Sequence, residues 1–333
     1  MKFDVVCGNP PYNNDLYVDF VKSGRKLSKG YSLWITPSKF VAKKQLSELY
    51  PYFSDFIFYA SAQDIFDIYN LDGIAIYLVT DKINETCNLT NKSENTVVFN
   101  NAVKVDFTKL KSINIFTNNL VSRLGNYKLL SDRLNLSYSP YEINQDIRGS
   151  KYCDDLHPYH LLAGLSLNTG FDDRGYLTKE QIPRGYELIG KYKVCMNKML
   201  GSCMYDNNGM NLGLNRLFLY RPNDVTPLGY INLMTFDSLN EAESFCSYLD
   251  SKLIRFLFCT ALCSQSTTKL SWRFIPDPCS FDKVYEDKPL EGYTPDENGI
   301  YTDNDGVVHC SLYVKYKLTD EEIEIIESVI KDR

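Results

Sequence analysis

Residues 3–12 read FDVVCGNPPY, and this stretch decides the fold of the first part of the chain. Val5 and Val6 are β-branched residues, which favour a buried strand. Pro10 and Pro11 each lack a backbone donor and have a fixed φ, so they cannot continue a sheet. The sequence therefore predicts a strand that ends at Gly8 and a stiff loop directly after it. In open α/β sheets, ligands bind at this carboxyl end of the strands.

The four loop residues Asn9-Pro10-Pro11-Tyr12 suit methyl transfer to an exocyclic amine. The amino nitrogen of adenine or cytosine is a poor nucleophile because its lone pair is delocalised into the ring. Two acceptors, the Asn9 side-chain oxygen and the Pro10 carbonyl, can hold its two N–H groups and turn the lone pair toward an incoming methyl. Tyr12 offers a ring on which a flipped base can stack, and the prolines keep the acceptors preorganised.

Asn9-Pro10-Pro11-Tyr12 resembles the catalytic motif of S-adenosylmethionine-dependent DNA amino-methyltransferases, most often those that act on adenine N6. The resemblance continues through residues 33–40, LWITPSKF, which are similar to the strand and turn after the catalytic loop. Residues 64–73, DIFDIYNLDG, are similar to a later motif whose aromatic residue packs on the flipped base opposite the catalytic tyrosine. Phe66 falls on that position, and Tyr69 is the alternative.

The order of elements predicts the second half of a doubly wound sheet. Apolar spacing indicates a helix over 16–27 and another from 39 to 50, while strands are expected at 31–37, 56–59 and 73–79. The fold class is therefore α/β, with a partial Rossmann-like methyltransferase sheet followed by a mixed α+β domain. We expect residues 1–100 to form the C-terminal half of a catalytic domain and residues 101–333 a target-recognition domain.

The second region resembles the target-recognition half of one-chain methyltransferases from restriction–modification systems. The similar strings include residues 191–194, 241–257, 273–276 and 312–327. Residues 241–258 predict one long helix with Asn240 as its cap, Thr319 and Glu322 form a capping box, and residues 171–176 are typical of a turn. Basic side chains in such a domain hold phosphates, and amide or guanidinium groups reach base edges. The expected DNA-binding residues are Lys39, Lys193, Lys198, Ser264, Gln265, Lys269 and Arg273.

Bulk composition fits a globular protein that works in a reducing compartment. The net charge is −6, but residues 1–50 carry eight Lys/Arg against four Asp/Glu, whereas residues 282–333 carry six against fourteen. An acidic tail can coexist with a basic cleft that attracts DNA. Ten scattered cysteines without a Cys-x-x-Cys pair, together with no signal peptide or membrane span, favour the cytoplasm. The Cys153–His160 segment matches no standard zinc spacing, so we expect a polar turn there and no metal site.

The cofactor half of the family pattern is missing from the sequence. The resemblance requires a Gly-rich loop for the methionine part of S-adenosylmethionine and an acidic residue for its ribose, and neither occurs in the 333 residues. Only Asn9 remains as a cofactor contact. We therefore expect either a fragment or one part of a split methyltransferase, which pairs with a second polypeptide or a second copy to complete its sheet, or an inactive DNA-recognition subunit or remnant. Double-stranded DNA is the expected partner in both cases.

Overall fold

The computed structural model describes residues 2–59, 62–67, 73–92, 101–164, 170–198, 213–261 and 267–332. Tyr69, Ser264 and Gln265, which the sequence singled out, lie outside these residues. The described residues form two compact units. The first comprises those of Met1–Tyr127 and Thr260–Gln265, and the second comprises those of Lys128–Cys259 and Ser266–Arg333.

The first unit is built on a six-stranded sheet of mixed direction. The elements in chain order are β1 Phe3–Gly8, α1 Tyr17–Leu27, β2 Ser28–Pro37, α2 Lys39–Lys43, β3 Phe53–Tyr59, β4 Ile74–Thr80, β5 Cys87–Lys92, β6 Ala102–Val105 and α3 Ile115–Arg123. The strands run in the order β1-β2-β4-β3-β5-β6, in which β1 with β2 and β3 with β5 are parallel pairs and the other neighbours are antiparallel.

These strand directions bring the segments that follow three strands to one edge of the sheet. β1, β2 and β3 all run the same way, because β1 is parallel to β2, and both β2 and β3 are antiparallel to β4. The carboxyl ends of β1, β2 and β3 therefore lie at the edge where β4 begins. The loop of residues 9–12, the start of α2 and the turn that carries Phe66 share this edge.

One face of the sheet is covered and forms the core of the first unit. A row of buried side chains crosses it from strand to strand, with Trp34 on β2 opposite Tyr77 on β4, and Tyr77 opposite Phe56 on β3. Helix α1 packs on this face at Gly24, where a Cβ atom would lie 2.2 Å from the Trp34 ring. A glycine is required there because the helix and the indole approach so closely.

The opposite face of the sheet is open at β1 and β2. The register pairs Val5 with Tyr31 and Cys7 with Leu33, so these residues share a face. Val5 is 59% exposed, Tyr31 52% and Leu33 41%. Among the described strands, β1 is an outer strand of the sheet and has one neighbour, β2. An exposed apolar surface therefore adjoins a strand edge, the combination that other chains recognise.

The helix expected over 39–50 is wrong after its first turn. α2 ends at Lys43, because Lys44 adopts a left-handed conformation with φ +54°. A 3-10 helix, Ser47–Tyr52, follows and accommodates Pro51. Phe40, Leu46 and Leu49 have the apolar spacing that predicted one helix, and all three are buried. They lie in two separate segments of the chain, so their spacing does not reflect a single helix.

From residue 128 onward the elements are β7 Ser137–Tyr138, β8 Tyr159–Gly164, β9 Phe171–Leu177, α4 Tyr186–Ile189, β10 Tyr192–Asn197, β11 Leu217–Tyr220, β12 Asp224–Val225, β13 Tyr230–Phe236, α5 Leu239–Asp250, α6 Lys252–Ala261, β14 Val284–Glu286, β15 Ile300–Thr302, β16 Val308–Ser311, α7 Leu312–Lys315 and α8 Asp320–Val329. The described residues of the second unit form three small sheets, with strand orders β11-β10-β13-β7, β12-β8-β9 and β14-β16-β15. The molecule is therefore a mixed α/β protein with several sheets, as the sequence predicted at this level.

Two local predictions in the second unit are wrong and one is confirmed. Residues 171–176 lie in β9 rather than in a turn. The single helix predicted over 241–258 is two helices, α5 and α6, separated by the extended residue Ser251. The cap of α5 is Ser238 rather than Asn240, and the Ser238 side chain accepts from the Glu241 N–H. The capping box of Thr319 and Glu322 is present at the start of α8. In the described part of the chain, no helix combines the length and the hydropathy needed to cross a bilayer.

A matched pair of substitutions tests the difference between the two sheet faces. Val5→Thr, on the open face, is expected to change the free energy of unfolding by less than about 0.5 kcal/mol. Val79→Thr, on the covered face and fully buried, leaves a hydroxyl without solvent and is expected to cost about 1–3 kcal/mol. Denaturant unfolding of the full chain measures both, and equal losses would contradict the open face.

Candidate functional site

The loop Asn9–Tyr12 follows β1 directly at the shared edge of the sheet. Gly8 is the last paired residue of β1 and lies opposite Trp34 on β2. Pro10 is buried, while Asn9 and Pro11 are exposed. Two rigid residues thus anchor the loop and present the Asn9 amide to solvent. Among the described residues, none donates a hydrogen bond to the Pro10 carbonyl.

The Tyr12 side chain orients the Asn9 amide. Its hydroxyl donates to Asn9 Oδ1 at 2.7 Å, and burial raises the pKa of Tyr12, so the hydroxyl keeps its proton at neutral pH. The Tyr12 ring contacts the Tyr17 ring edge to face, with centroids 6.4 Å apart. The Asn9 side-chain oxygen is therefore held in one direction by a residue of its own loop.

A carboxylate network fixes the turn after the motif. Asp15 Oδ1 lies 3.0 Å from Lys39 Nζ, and its Oδ2 lies 2.8 Å from Lys43 Nζ and 2.9 Å from Gln45 Nε2. Partial burial disfavours the charged carboxyl, but the hydrogen bonds from Lys43, Gln45 and Lys39 outweigh it and hold the pKa of Asp15 well below its ordinary range. Asp15 and Gln45 are thirty positions apart, and no sequence pattern links them. Neither residue was therefore predicted as part of the site.

Lys39, predicted to bind DNA, is already engaged inside the first unit. Its ammonium pairs with Asp15 and lies 5.9 Å from the centroid of the Tyr17 ring, and its side chain is 22% exposed. A phosphate would have to compete with the Asp15 carboxylate for this charge. Its first role is to hold the turn that follows Tyr12.

Phe66 lies at the same edge of the sheet, in the turn after the 3-10 helix Ala62–Asp64. It is half-buried, and its N–H donates to the Ala62 carbonyl at 2.9 Å. The neighbouring strand ends are joined by a bond from the Ser38 N–H to the Gly73 carbonyl at 2.8 Å. β1 and β3 are three strand intervals apart, or about 14 Å, and side chains on their loops must span this gap to meet.

The DNA-binding residues predicted in the second unit have different environments. Lys198 and Lys269 are exposed, and the Lys198 carbonyl accepts from the Thr267 N–H at 3.3 Å, which brings the two lysine segments together. Arg273 donates to the Leu270 carbonyl at 2.7 Å, and its guanidinium lies over the Phe274 ring. Ser264 and Gln265 lie outside the described residues.

Lys193 is withdrawn from the predicted set. It is fully buried, and its ammonium donates to the carbonyls of Ile189, Lys191 and Arg221 at 3.2, 2.7 and 2.8 Å. Burial lowers its pKa to about 8. A lysine without exposed atoms cannot reach a phosphate, and its role is to join the two chain segments whose carbonyls it caps.

Two of the histidines contact nearby aspartates through their ring nitrogens. His157 Nδ1 lies 2.9 Å from Asp154, and His160 Nε2 lies 3.0 Å from Asp173. His160 belongs to β8, not to the polar turn expected for residues 153–160. In the described ranges, no group of three or more His, Cys, Asp or Glu side chains is arranged to hold a metal ion.

No family model matches this chain, and no curated protein matches it. Three solved structures are similar to it over much of its length. They are the Type IIL restriction-modification enzyme MmeI in complex with DNA (6% identity, TM-score 0.40, 86% of this chain and 47% of that chain), the type IIG restriction endonuclease BpuSI (10%, 0.31, 98% and 53%) and the ATP-dependent Type ISP restriction-modification enzyme LlaBIII bound to DNA (10%, 0.32, 99% and 37%).

All three are restriction-modification enzymes or endonucleases, and this chain spans about half of their length or less. TM-scores this low do not establish a common fold. The candidate site therefore depends on the geometry of residues 9–17 and of α2.

Acid titration tests the Asp15 network. Because the folded pKa of Asp15 is lowered from 3.8, its stabilisation is present above pH 4 and is lost as the pH falls further. Asp15→Asn is expected to lower the free energy of unfolding by about 1–2 kcal/mol at pH 7, with the difference shrinking below pH 4. Glu48→Gln, which removes an exposed pair with Lys22, serves as the control and has a smaller effect. A pH-independent loss for Asp15→Asn would refute the network.

Proposed function

We propose that this chain takes part in methyl transfer from S-adenosylmethionine to the exocyclic amine of a base flipped out of double-stranded DNA, with adenine N6 as the target, within a restriction–modification enzyme. The observation that carries the proposal is the exposed Asn9 amide, oriented by Tyr12 in a loop that two prolines make rigid. The sequence motif and its position after a strand of an α/β sheet support the same conclusion.

Asn9 and Pro10 act on the amine of the target base. Asn9 Oδ1 retains capacity for a second hydrogen bond beside that from Tyr12, because an amide oxygen has two lone pairs. Together with the Pro10 carbonyl it accepts the two N–H groups of the base and leaves the nitrogen lone pair directed away from both acceptors. These acceptors also stabilise the positive charge that develops on the nitrogen before its proton leaves.

Tyr12 and Phe66 are proposed to hold the flipped base. Extrusion of a base costs a few kcal/mol, and stacking on each aromatic ring returns about 1–3 kcal/mol. Their common edge of the sheet supports this pairing. Exposed Lys198 and Lys269, with Arg273, Ser264 and Gln265, are proposed to contact DNA. Residues 1–100 are then the catalytic half, and residues 101–333 are the target-recognition domain.

S-adenosylmethionine supplies an activated methyl group when bound, but the residues of this chain fit only the methyl end of it. Asn9 is the one cofactor contact that we propose, because the sequence has neither the Gly-rich loop nor the ribose carboxylate. We infer that a polypeptide segment with these features pairs along β1, where Val5, Tyr31 and Leu33 are exposed beside a strand edge. The second candidate function, an inactive DNA-recognition subunit, is favoured by the same missing loop.

Methylation in cells tests the proposal. The gene, with its neighbouring genes, is expressed in a bacterial host without DNA methyltransferases, and methylated bases are mapped by single-molecule sequencing. The intact protein is expected to methylate one sequence motif, and Asn9→Ala to lower the rate by about 10²- to 10³-fold. Asn13→Ala, the same change on an exposed residue four positions along the chain, is expected to have little effect. Normal methylation by Asn9→Ala would exclude the catalytic assignment.

The cofactor affinity of the lone chain tests whether its cofactor site is incomplete. The 333-residue chain alone is expected to bind S-adenosylmethionine with a dissociation constant above about 0.1 mM, that is, with less than about 6 kcal/mol of binding free energy. Isothermal titration calorimetry measures it, with S-adenosylhomocysteine as a second ligand. Micromolar binding to the lone chain would disprove the pairing proposal and place a complete cofactor site within these residues.

A further inference from the structure

A continuous series of contacts links α2 to the Asn9 amide. Lys39 and Lys43 bind the Asp15 carboxylate, which also accepts from Gln45 Nε2 at 2.9 Å. Gln45 Oε1 in turn accepts from the Tyr17 hydroxyl at 3.3 Å. The Tyr17 ring supports the Tyr12 ring, and the Tyr12 hydroxyl donates to Asn9 Oδ1.

The chemistry of Gln45 fixes its orientation in this series. A carboxylate can only accept a hydrogen bond, so Asp15 requires the amide nitrogen of Gln45. The Tyr17 hydroxyl then donates to the amide oxygen. Reversing the amide would set its oxygen against the Asp15 carboxylate, and neither of those oxygens carries a proton to share. The bridge therefore has one favourable arrangement, and it connects the turn after the motif to the ring beneath Tyr12.

The backbone of the turn at residues 14 and 15 is strained. Asn14 and Asp15 both have positive φ, at +49° and +59°. Consecutive left-handed residues other than glycine are unfavourable even for Asn and Asp. The three partners of the Asp15 side chain offset this strain. Tyr17, which is fully buried and packs against Phe40 at 6.5 Å, gives the series a fixed end in the core.

We propose that Asp15 and Gln45 are positioning residues, which hold Tyr17 and the strained turn so that Tyr12 keeps the Asn9 acceptor in its reactive orientation. This inference rests on the proposed function for its meaning in catalysis, but the positioning itself is a property of the folded chain. Helix α2 then has a role separate from DNA binding, because its residues Lys39 and Lys43 supply the charges that anchor Asp15. Removing either positioning residue leaves the Asn9 amide free to rotate.

Fluorine NMR of the full chain tests the positioning directly. A single 3-fluorotyrosine at position 12 places the fluorine beside the hydroxyl that bonds to Asn9. Asn9→Ala removes that bond and defines the direction of the shift. Asp15→Asn and Gln45→Leu are each expected to move the resonance in the same direction by at least half as far. Asp15→Glu, which keeps a carboxylate, is expected to move the resonance less than Asp15→Asn does. Glu48→Gln, a carboxylate-to-amide change elsewhere in the first unit, leaves the resonance in place.

The outcomes separate this inference from the proposed function. If Asp15→Asn unfolds the unit, Gln45→Leu, which removes no charge, gives the decisive spectrum. A resonance that moves with Asn9→Ala but with neither Asp15→Asn nor Gln45→Leu overturns the positioning role, whether or not the intact protein methylates DNA. Expected shifts in a protein that methylates nothing keep the positioning role and reject the proposed function. In an active protein, Asp15→Asn is expected to lower kcat and leave KM within about twofold, since Asp15 touches no substrate.

Discussion

Two adjacent prolines impose the constraint on which the site depends. β1 cannot run past Gly8, because Pro10 and Pro11 have no N–H for a neighbouring strand and fix the backbone direction. The chain must leave the sheet, and it returns through a left-handed turn at Asn14 and Asp15 into α1. That path delivers Tyr17 to the core beneath Tyr12. The geometry of the acceptor thus follows from where the strand is forced to stop.

The sheet of the first unit buries one face and leaves part of the other exposed. Its covered face carries Trp34, Tyr77 and Phe56 in a cross-strand row, with α1 drawn close by Gly24. A strand buried on one side would ordinarily place polar residues on the other, yet Val5, Tyr31 and Leu33 are apolar and exposed there. Parallel strands such as β1 and β2 are normally covered on both faces. The uncovered apolar face is the physical reason to expect an additional layer.

The sequence predicted strands and chain direction well, because these follow from local patterns. The strand before Asn9, the helix before Ser28 and the capping box at Thr319 are present where spacing and capping chemistry required them. The prediction of one helix over 39–50 failed, because Phe40, Leu46 and Leu49 have helical spacing but lie in two separate segments. The turn expected at 171–176 failed because pairing with β8 overrode the Asp-Asp-Arg-Gly sequence.

The candidate site was predictable only where its residues are neighbours in sequence. The motif Asn9–Tyr12 carries its own chemistry, so the sequence indicated it. The support from Asp15 and Gln45 depends on contacts across thirty residues, and no periodicity encodes it. Lys193 shows the opposite error, because a basic residue of the expected recognition domain was predicted to hold a phosphate, whereas three carbonyls bind its ammonium in the interior.

Charge counts from sequence overstate how basic the first unit is toward DNA. Residues 1–50 have an excess of four positive charges, which suggested a phosphate-binding surface. In the structure, Lys22 pairs with Glu48 and Lys29 with Asp4, while Lys39 and Lys43 share Asp15. The exposed pairs contribute little to stability and can exchange partners easily. Exchange of the Asp15 partners would release the turn after Tyr12, so the charges nearest the Asn9–Tyr12 loop serve its geometry before they serve any ligand.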